Sequence, residues 1–461
     1  MSRVRQIATF TTAFLAAVVS TPTAEALDYY RVGNQADATA ITQPGLLLAG
    51  GGSDVDSAMS WFLDRVNGGD VVVIRASGSD GYNRYLYEQL PGTSPDSVET
   101  LVFRSRSDAS NPFALNRLQN AEGIFIAGGD QSDYDAYWRN TVIEDILNQK
   151  ALEGIPIGGT SAGLAILGST SYVARTQSVT SQQALADPYH PRATLEHDFL
   201  TIPLLNKTVT DSHYTERNRE GRLNAFMARI LADTDSTEAR AIGVDEGAAI
   251  TIDRRGDTRY HGPVGRSATL LRTFHRDIDL PAGQPLDLEP ILSYELTTGG
   301  SFDLTSWTAN AVTASTATWF AYDNGNRIEL GDLFDINNDS TIDAADIDAL
   351  TSTPADLNRD GVSNPADRTY LIERVLGTTL GDANLDGTVN LTDLSSLASH
   401  FSQPSVGWSQ ADFDGSGTVD LIDLSLLASS FGFDRDANPA PEPQTAFLLL
   451  LLFALKPKIA Q

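Results

Sequence analysis

Ser161 stands at the centre of Gly158-Gly159-Thr160-Ser161-Ala162-Gly163, between the apolar runs Gly154-Ile155-Pro156-Ile157 and Leu164-Ala165-Ile166-Leu167. The pattern reads as strand, sharp turn and helix with a hydroxyl at the apex, the arrangement of a nucleophile elbow. Glycines beside the serine allow a strained backbone. A helix starting there points free N–H groups and the positive end of its dipole at whatever the serine attacks. The bland alternative is close packing of a helix on a strand, which also collects small residues. A serine nucleophile needs a base, and the chain holds six histidines: His190, His197, His213, His261, His275 and His400. His400 falls in an acidic region and drops out. His213 follows the β-prone Thr208-Val209-Thr210, so a strand ending at Asp211 would present it, inside a segment with Arg217, Arg219 and Arg222. The competing reading of that segment is a surface salt-bridge patch.

A second chemistry is written four times near the other end. Oxygen-bearing residues fall at positions 1, 3, 5, 9 and 12 of a twelve-residue run, with a backbone carbonyl available at position 7. The four runs are Asp335, Asn337, Asp339, Thr341, Asp343, Asp346; Asp356, Asn358, Asp360, Val362, Asn364, Asp367; Asp382, Asn384, Asp386, Thr388, Asn390, Asp393; and Asp412, Asp414, Ser416, Thr418, Asp420, Asp423. Position 6, where the loop turns sharply, is glycine in three runs and Ser340 in the first. Such a set wraps one Ca²⁺, and four copies at full spacing are a strong signal. The last two precede short apolar helices, Leu394 to Phe401 and Leu424 to Phe431. Without calcium, mutual repulsion of the carboxylates predicts a largely unfolded region.

The elements that must position Ser161 are short apolar runs: 45–49, 71–74, 101–103, 124–127 and 155–157. Each is apolar on both faces, as a strand between helix layers should be. Strands alternating with helical stretches predict an α/β fold with a mostly parallel sheet sandwiched by helices. Ligands in such sheets sit beyond the carboxyl ends of the strands. Three glycine-rich tips fall there: Gly50-Gly51-Gly52, Gly128-Gly129-Asp130-Gln131 and the Ser161 turn. The Thr- and Ser-rich stretch to about Leu330, with strand patterns at 248–252 and 316–322, reads as additional strands completing the same domain.

Net charge is −28, which argues against nucleic-acid binding. Residues 331–440 carry nineteen Asp and Glu against four Arg and no Lys, about half of that excess. The absence of cysteine excludes disulfides, thiolate metal sites and cysteine nucleophiles. Arg3 and Arg5, an apolar run and Ala24-Glu25-Ala26 predict a secretory signal peptide over 1–26. Beyond it, 27–330 reads as the catalytic domain, 331–438 as the calcium repeats and 439–461 as a tail in which Pro441-Glu442-Pro443, an apolar stretch and Lys456 and Lys458 succeed one another.

These motifs carry three resemblances. Gly159-Thr160-Ser161-Ala162-Gly163, Gly128-Gly129-Asp130-Gln131, Asp211-x-His213 with its arginines, and Gly243-Val244-Asp245-Glu246 together resemble cyanophycinase and its relatives in peptidase family S51, over roughly residues 41–260. The resemblance implies a fold similar to class I glutamine amidotransferases and a serine-peptidase mechanism. Cyanophycinases cut β-aspartyl linkages in a polymer with an aspartate backbone and arginine side groups. On that chemistry Ser161 attacks, His213 is base and then acid, and backbone N–H groups at Gly129 or Asp130 and at Ala162 form an oxyanion hole. Gln131, Asp211, Arg217, Arg219 and Arg222 then bind substrate. Two departures stand out: Ser212 replaces the glutamine that cyanophycinases carry, and no acid lies fifteen to twenty residues beyond Ser161. The third catalytic group is left open among Asp187, Glu196, Asp198, Glu246 or a polar non-acid.

The repeats, with aspartate at position 12 and paired loop-helix units, resemble type I dockerins, which implies a calcium-dependent cohesin-type partner; the alternative is a calcium-stiffened spacer. The tail resembles a PEP-CTERM sorting signal, which implies transient membrane contact, cleavage and delivery to the cell surface. The chain therefore reads as an exported serine peptidase using no catalytic cofactor. The alternatives are an esterase of α/β-hydrolase type and a non-catalytic surface protein whose purpose is its dockerin-like part.

Overall fold

The structure, a computed structural model, describes residues 27–309 and 315–436. The expected signal peptide lies outside the described residues, as does the Pro-Glu-Pro tail. Among the described residues no helix is long and apolar enough to cross a membrane.

The strands are β1 (Asp28–Gly33), β2 (Gly45–Ala49), β3 (Asp70–Arg75), β4 (Ser97–Val102), β5 (Gly123–Ile126), β6 (Ile157–Thr160), β7 (Thr170–Tyr172), β8 (Leu195–His197) and β9 (Thr208–Ser212). They continue as β10 (Glu238–Val244), β11 (Ala249–Asp253), β12 (Asp257–His261), β13 (Ala268–Phe274), β14 (Leu288–Leu296), β15 (Ser301–Asp303), β16 (Thr308–Ala309), β17 (Ser315–Asp323) and β18 (Asn326–Glu329). One sheet runs β1-β4-β3-β5-β6-β2-β11-β12-β15-β16. Its centre, β4 to β2, is parallel. Alternate residues of these strands leave on opposite faces. Leu47, Val71, Val73 and Phe125 pack on Phe62, Leu63 and Val66 of the helix Asp56–Val66. Leu48, Val72, Ile74 and Ile126 pack with Leu118, Ile143 and Leu147 of the helices Pro112–Asn120 and Val142–Glu153. Burial on both faces explains the unbroken apolar runs.

The later strands do more than complete that sheet. β11, β12, β15 and β16 extend it antiparallel. The others form a second sheet, β18-β17-β14-β13-β10-β9-β7-β8. There only β10-β9 and β9-β7 are parallel. The reason is connection length: hairpin turns can join only antiparallel neighbours, whereas β9 reaches β10 through the helix Glu220–Asp233. That helix buries Leu223, Phe226, Met227 and Ile230 against Val209, Tyr172 and Ala241 of the second sheet.

The acidic repeats share a core of their own, including Phe334, Ile347, Leu371, Leu397, Trp408, Val419 and Leu427. Each repeat leads into a helix: Ala344–Ala349, Pro365–Tyr370, Leu391–His400 and Leu421–Ser430. The residue at position 9 of each loop (Asp343, Asn364, Asn390, Asp420) is the N-cap, and the aspartate at position 12 closes a capping box. Loop and helix are therefore specified by the same residues.

Candidate active site and acidic loops

Four strands that end at the same edge deliver the reactive groups. Gly50–Gly52 follows β2, Ser161 follows β6, His213 follows β9, and Asp245-Glu246 follows β10. Both sheets thus contribute carboxyl ends to one place, where α/β proteins bind ligands.

Ser161 has φ +53° and ψ −117°, a conformation non-glycine residues avoid. Its amide donates to the Ala49 carbonyl at 3.1 Å and its carbonyl accepts from Ala165 at 3.0 Å, which hold the turn. The flanking glycines serve close approach rather than strain, since neither adopts positive φ. A Cβ on Gly163 would lie 2.0 Å from the Ile126 carbonyl oxygen, and one on Gly159 would lie 2.5 Å from that of Gly163. The helix behind the serine is only Ala162–Ala165, so its dipole is short.

Ser161 Oγ lies 2.8 Å from His213 Nε2, and His213 Nδ1 lies 2.5 Å from Glu246 Oε1. With Nδ1–H donating to the carboxylate, Nε2 is left as the acceptor of the serine hydroxyl, the tautomer a base requires. His213 also has positive φ, +48°, and its amide donates to the Gly50 carbonyl at 2.9 Å. Of the acids considered for the third position, only Glu246 meets the imidazole among the described residues. Glu196 pairs with Arg139 at 2.9 Å and with Arg175. Asp187 accepts from the amides of Tyr189 and Gly283, both at 2.9 Å. Asp198 lies beside Ser169, to whose carbonyl its amide donates at 2.7 Å.

The motif Gly243-Val244-Asp245-Glu246 now has a local explanation. A Cβ on Gly243 would lie 2.4 Å from the Tyr214 ring, so glycine lets β10 pass the residue after His213. Asp245 accepts from the Thr215 amide at 3.0 Å and the Ser267 amide at 2.9 Å, tying the turn after His213 to the residue that precedes β13. Glu216, clamped by Arg266, accepts from the Glu246 amide at 3.1 Å. Glu216 and Arg266 escaped the sequence reading because fifty residues separate them.

Among the described residues, the amides of Gly129, Asp130 and Ala162 have no acceptor within the chain. Gly128 brings the first two to the serine: a Cβ there would sit 3.3 Å from Ser161 Cβ. Gln131 opens the helix Gln131–Trp138, partly buried, behind the N-cap Asp130.

The residues expected to bind substrate divide. Asp211 and Arg222 are each 2% exposed and bonded to one another through two contacts of 2.7 Å. Arg219 donates to Asp211 at 2.9 Å and to the Ser212 carbonyl at 2.6 Å. Burial opposes ionisation of Asp211, but Arg222 and Arg219 outweigh it and hold the carboxyl below its ordinary range. Asp211, Arg219 and Arg222, expected as substrate contacts, are placed instead in an internal ion-pair cluster that fixes the end of β9, Arg222 bonding through all three guanidinium nitrogens and Arg219 through Nη1. Arg217 differs: it is 53% exposed and lies 3.9 Å from Glu246 Oε1.

Burial lowers the pKa of His213 below that of an ordinary histidine; the Glu246 bond opposes this, and Arg217 and Arg219 reinforce it. A base must be unprotonated, so the acid limb of kcat/KM should fall below the ordinary histidine value. Arg217→Gln removes a cation that disfavours imidazolium and should move that limb to higher pH. A kcat/KM–pH profile of both proteins checks this through the midpoint, whatever the variant does to the plateau.

The acidic loops repeat one geometry. The position-12 carboxylate accepts from the amide of position 2 in each: Ile336 to Asp346, Leu357 to Asp367 and Phe413 to Asp423 at 2.7 Å, Ala383 to Asp393 at 2.9 Å. Position 6 has positive φ throughout, +71° at Ser340 against +89°, +86° and +81° at Gly361, Gly387 and Gly417. Carboxylate oxygens of Asp412, Asp414 and Asp423 converge within 4.8 Å of one another. Asp356 Oδ1, at position 1 of the second loop, is buried without a hydrogen-bond partner. Burial pushes Asp382 and Asp412, also at position 1, above the ordinary carboxylate range. Converging hard oxygen donors, with one buried carboxylate oxygen left without a partner at Asp356, fit a calcium ion.

Residues 47–258 match the model of peptidase family S51, and residues 380–431 match that of the dockerin type I domain. The chain is 28% identical over 262 residues to a cyanophycinase of Synechococcus elongatus, covering 55% of this chain and 75% of that one. It is 26% identical over 224 residues to a cyanophycinase of Trichormus variabilis, covering 48% and 68%. Among solved structures, a peptidase from an acI-B1 Actinobacterium aligns at 17% identity with a TM-score of 0.38, over 57% of this chain and 97% of that one.

Proposed function

Because residues 47–258 are a domain of peptidase family S51 and residues 380–431 a dockerin type I domain, we propose that this serine-type peptidase cuts aspartyl peptide bonds outside the cell. The bond we assign is the β-aspartyl linkage, the chemistry of the cyanophycinases to which the chain is similar. One observation carries the reading: the unbroken chain Ser161 Oγ, His213 Nε2, His213 Nδ1, Glu246 Oε1 on a strained serine turn.

In this mechanism His213 takes the Oγ proton as Ser161 attacks the carbonyl carbon. The oxyanion is met by amides of Ala162 and of Gly129 or Asp130. His213 then returns the proton to the leaving amine, and water repeats the sequence in reverse on the acyl-enzyme. Glu246 holds the imidazole tautomer and stabilises its cation. Arg217, exposed beside the relay, is the guanidinium placed to meet a substrate carboxylate, with Gln131 at the opposite loop. Where cyanophycinases carry glutamine this chain has Ser212, 2% exposed beside Arg219, and the loss of that substrate contact favours substrates other than the intact polymer.

Calcium would be held by the position 1, 3, 5, 7, 9 and 12 residues of the four loops and would supply the charge that lets their carboxylates stay ionised. Leu391, Leu421 and Ile422, 65%, 70% and 55% exposed on the last two helices, offer an apolar face to a cohesin-type partner. Export through the residues before Leu27, a peptidase unit over 27–330, repeats over 331–438 and a surface-sorting tail complete the proposal.

Matched α- and β-aspartyl dipeptides and cyanophycin, incubated with the wild type and with Ser161→Ala and read by mass spectrometry, test it. Products from the β-aspartyl dipeptide with the wild type alone are expected. Equal cleavage by the Ser161→Ala protein would remove the serine mechanism, and cleavage of only the α-linked peptide would remove the linkage assignment.

A further inference from the structure

We propose that the calcium repeats are a fixed buttress of the peptidase rather than a tethered appendage, so that calcium uptake by the repeats stabilises the peptidase fold. The inference rests on the calcium reading above. It is carried by the contacts between the second sheet and residues 359–435. Arg276, just past β13, lies 3.5 Å from Glu373 and donates to the Thr378 carbonyl at 3.2 Å. Its guanidinium also sits 5.0 Å from the centre of the Phe433 ring. Arg359 pairs with Glu289 of β14 at 2.6 Å. Lys207, one residue before β9, donates to the Arg435 carbonyl at 2.8 Å. Phe274, the last residue of β13, is 4% exposed, and the Gly377 backbone lies so close to its ring that a Cβ there would fall 2.4 Å from it.

Two of these contacts are set by the metal loops themselves. Arg359 is position 4 of the second loop, held at φ +58°. In the third loop the Gly387 carbonyl accepts from Arg435 at 2.9 Å, and the neighbouring Val389 amide donates to the Phe433 carbonyl at 2.9 Å. The third loop therefore places the segment that reaches Lys207 and Arg276. Loosening of these loops by carboxylate repulsion would release both ends of the interface together.

The repeats also divide the work by sequence. At the two positions before the final aspartate, the last two loops carry the exposed Leu391, Leu421 and Ile422, while the first two carry Ala344-Ala345 and Pro365-Ala366. The second repeat faces the peptidase through Arg359 and carries only small residues at these two positions, with Val362 its exposed apolar side chain.

Ligand that binds only the folded state raises its stability, and a shared interface passes the gain to the neighbour. For the full chain, scanning calorimetry with calcium and with chelator should show the peptidase transition falling by about 5 °C or more on chelation. Arg276→Glu combined with Arg359→Glu should abolish that shift while calorimetric calcium uptake persists. Amide exchange at Thr273–Arg276 in the wild type reports on the same interface without a variant, and its protection should drop on chelation. Calcium uptake with an unmoved peptidase transition and unchanged protection would overturn the coupling alone. No calcium uptake would overturn the calcium reading and this proposal with it.

Discussion

Glu246→Gln should lower kcat/KM by roughly 10³- to 10⁴-fold while leaving the fold and KM nearly unchanged. Glutamine keeps the shape of the side chain but can turn an N–H₂ toward His213 Nδ1. The imidazole then carries its proton on Nε2 and can no longer accept from Ser161 Oγ. The Glu246 side chain is 35% exposed, so its loss leaves no buried unpaired charge and costs little stability. Exposure also admits water, which can take over part of the orienting bond and places the loss toward the lower end of the range. The direction of the pH effect distinguishes this role from general damage. Glu246 raises the His213 pKa, so the residual activity should have its acid limb at lower pH, opposite to the shift expected for Arg217→Gln. Asp187→Asn should keep full activity, because among the described residues the Asp187 carboxylate serves the amides of Tyr189 and Gly283, away from the relay. A loss under tenfold for Glu246→Gln would return the third catalytic position to an unidentified group.

The sequence shows the parallel centre of the first sheet because strands buried on both faces must be apolar along their whole length. Runs such as Val71 to Ile74 have no other simple reading. The later antiparallel strands were less legible: they pair in hairpins, some with one polar face as in the alternation of Asp257–His261, and such short patterns do not say which of the two sheets they join. Ser161 and His213 were legible because each sits in a local pattern, a glycine turn and a strand end. Glu246 was not assigned, since it lies thirty-three residues from His213 and nothing local distinguishes it from Glu196 or Asp187. The arginines misled for a related reason. A cation in a charged segment looks available for substrate, and only the packed structure reveals that Arg222 points inward onto Asp211 and over the Tyr172 ring. In the calcium loops, by contrast, all donors lie within twelve residues, so sequence spacing is already geometry.

Gly51→Ala should cost at least about 10²-fold in kcat/KM, a large effect for one methyl group. Gly51 has φ +90°, and a Cβ there would fall 2.6 Å from His213 Cε1, 2.7 Å from Nε2 and 3.1 Å from Ser161 Cβ. Something must move, and the backbone has little room to do so. The Gly51 carbonyl accepts from Gly247, the Gly50 carbonyl accepts from His213 and the Gly50 amide donates to Ala248, each at 2.9 Å. Gly50 itself is so close to the turn after β10 that a Cβ on it would sit 2.0 Å from the Asp245 carbonyl oxygen. The imidazole must therefore yield, and its bonds to Ser161 and Glu246 cannot both survive a displacement near 1 Å. Backbone strain alone, about 1–2 kcal/mol for a non-glycine residue in this region, lowers stability without touching the relay. Gly283→Ala isolates that component: Gly283 has φ +77°, its Cβ would meet nothing within 4 Å, and it lies outside the site. Thermal denaturation should place the two variants within a few degrees of each other, while steady-state kinetics should separate them by the full factor. Retention of more than a tenth of wild-type kcat/KM by Gly51→Ala would mean that His213 is not held where the reaction needs it, and the Ser161–His213 contact could no longer be read as the working geometry.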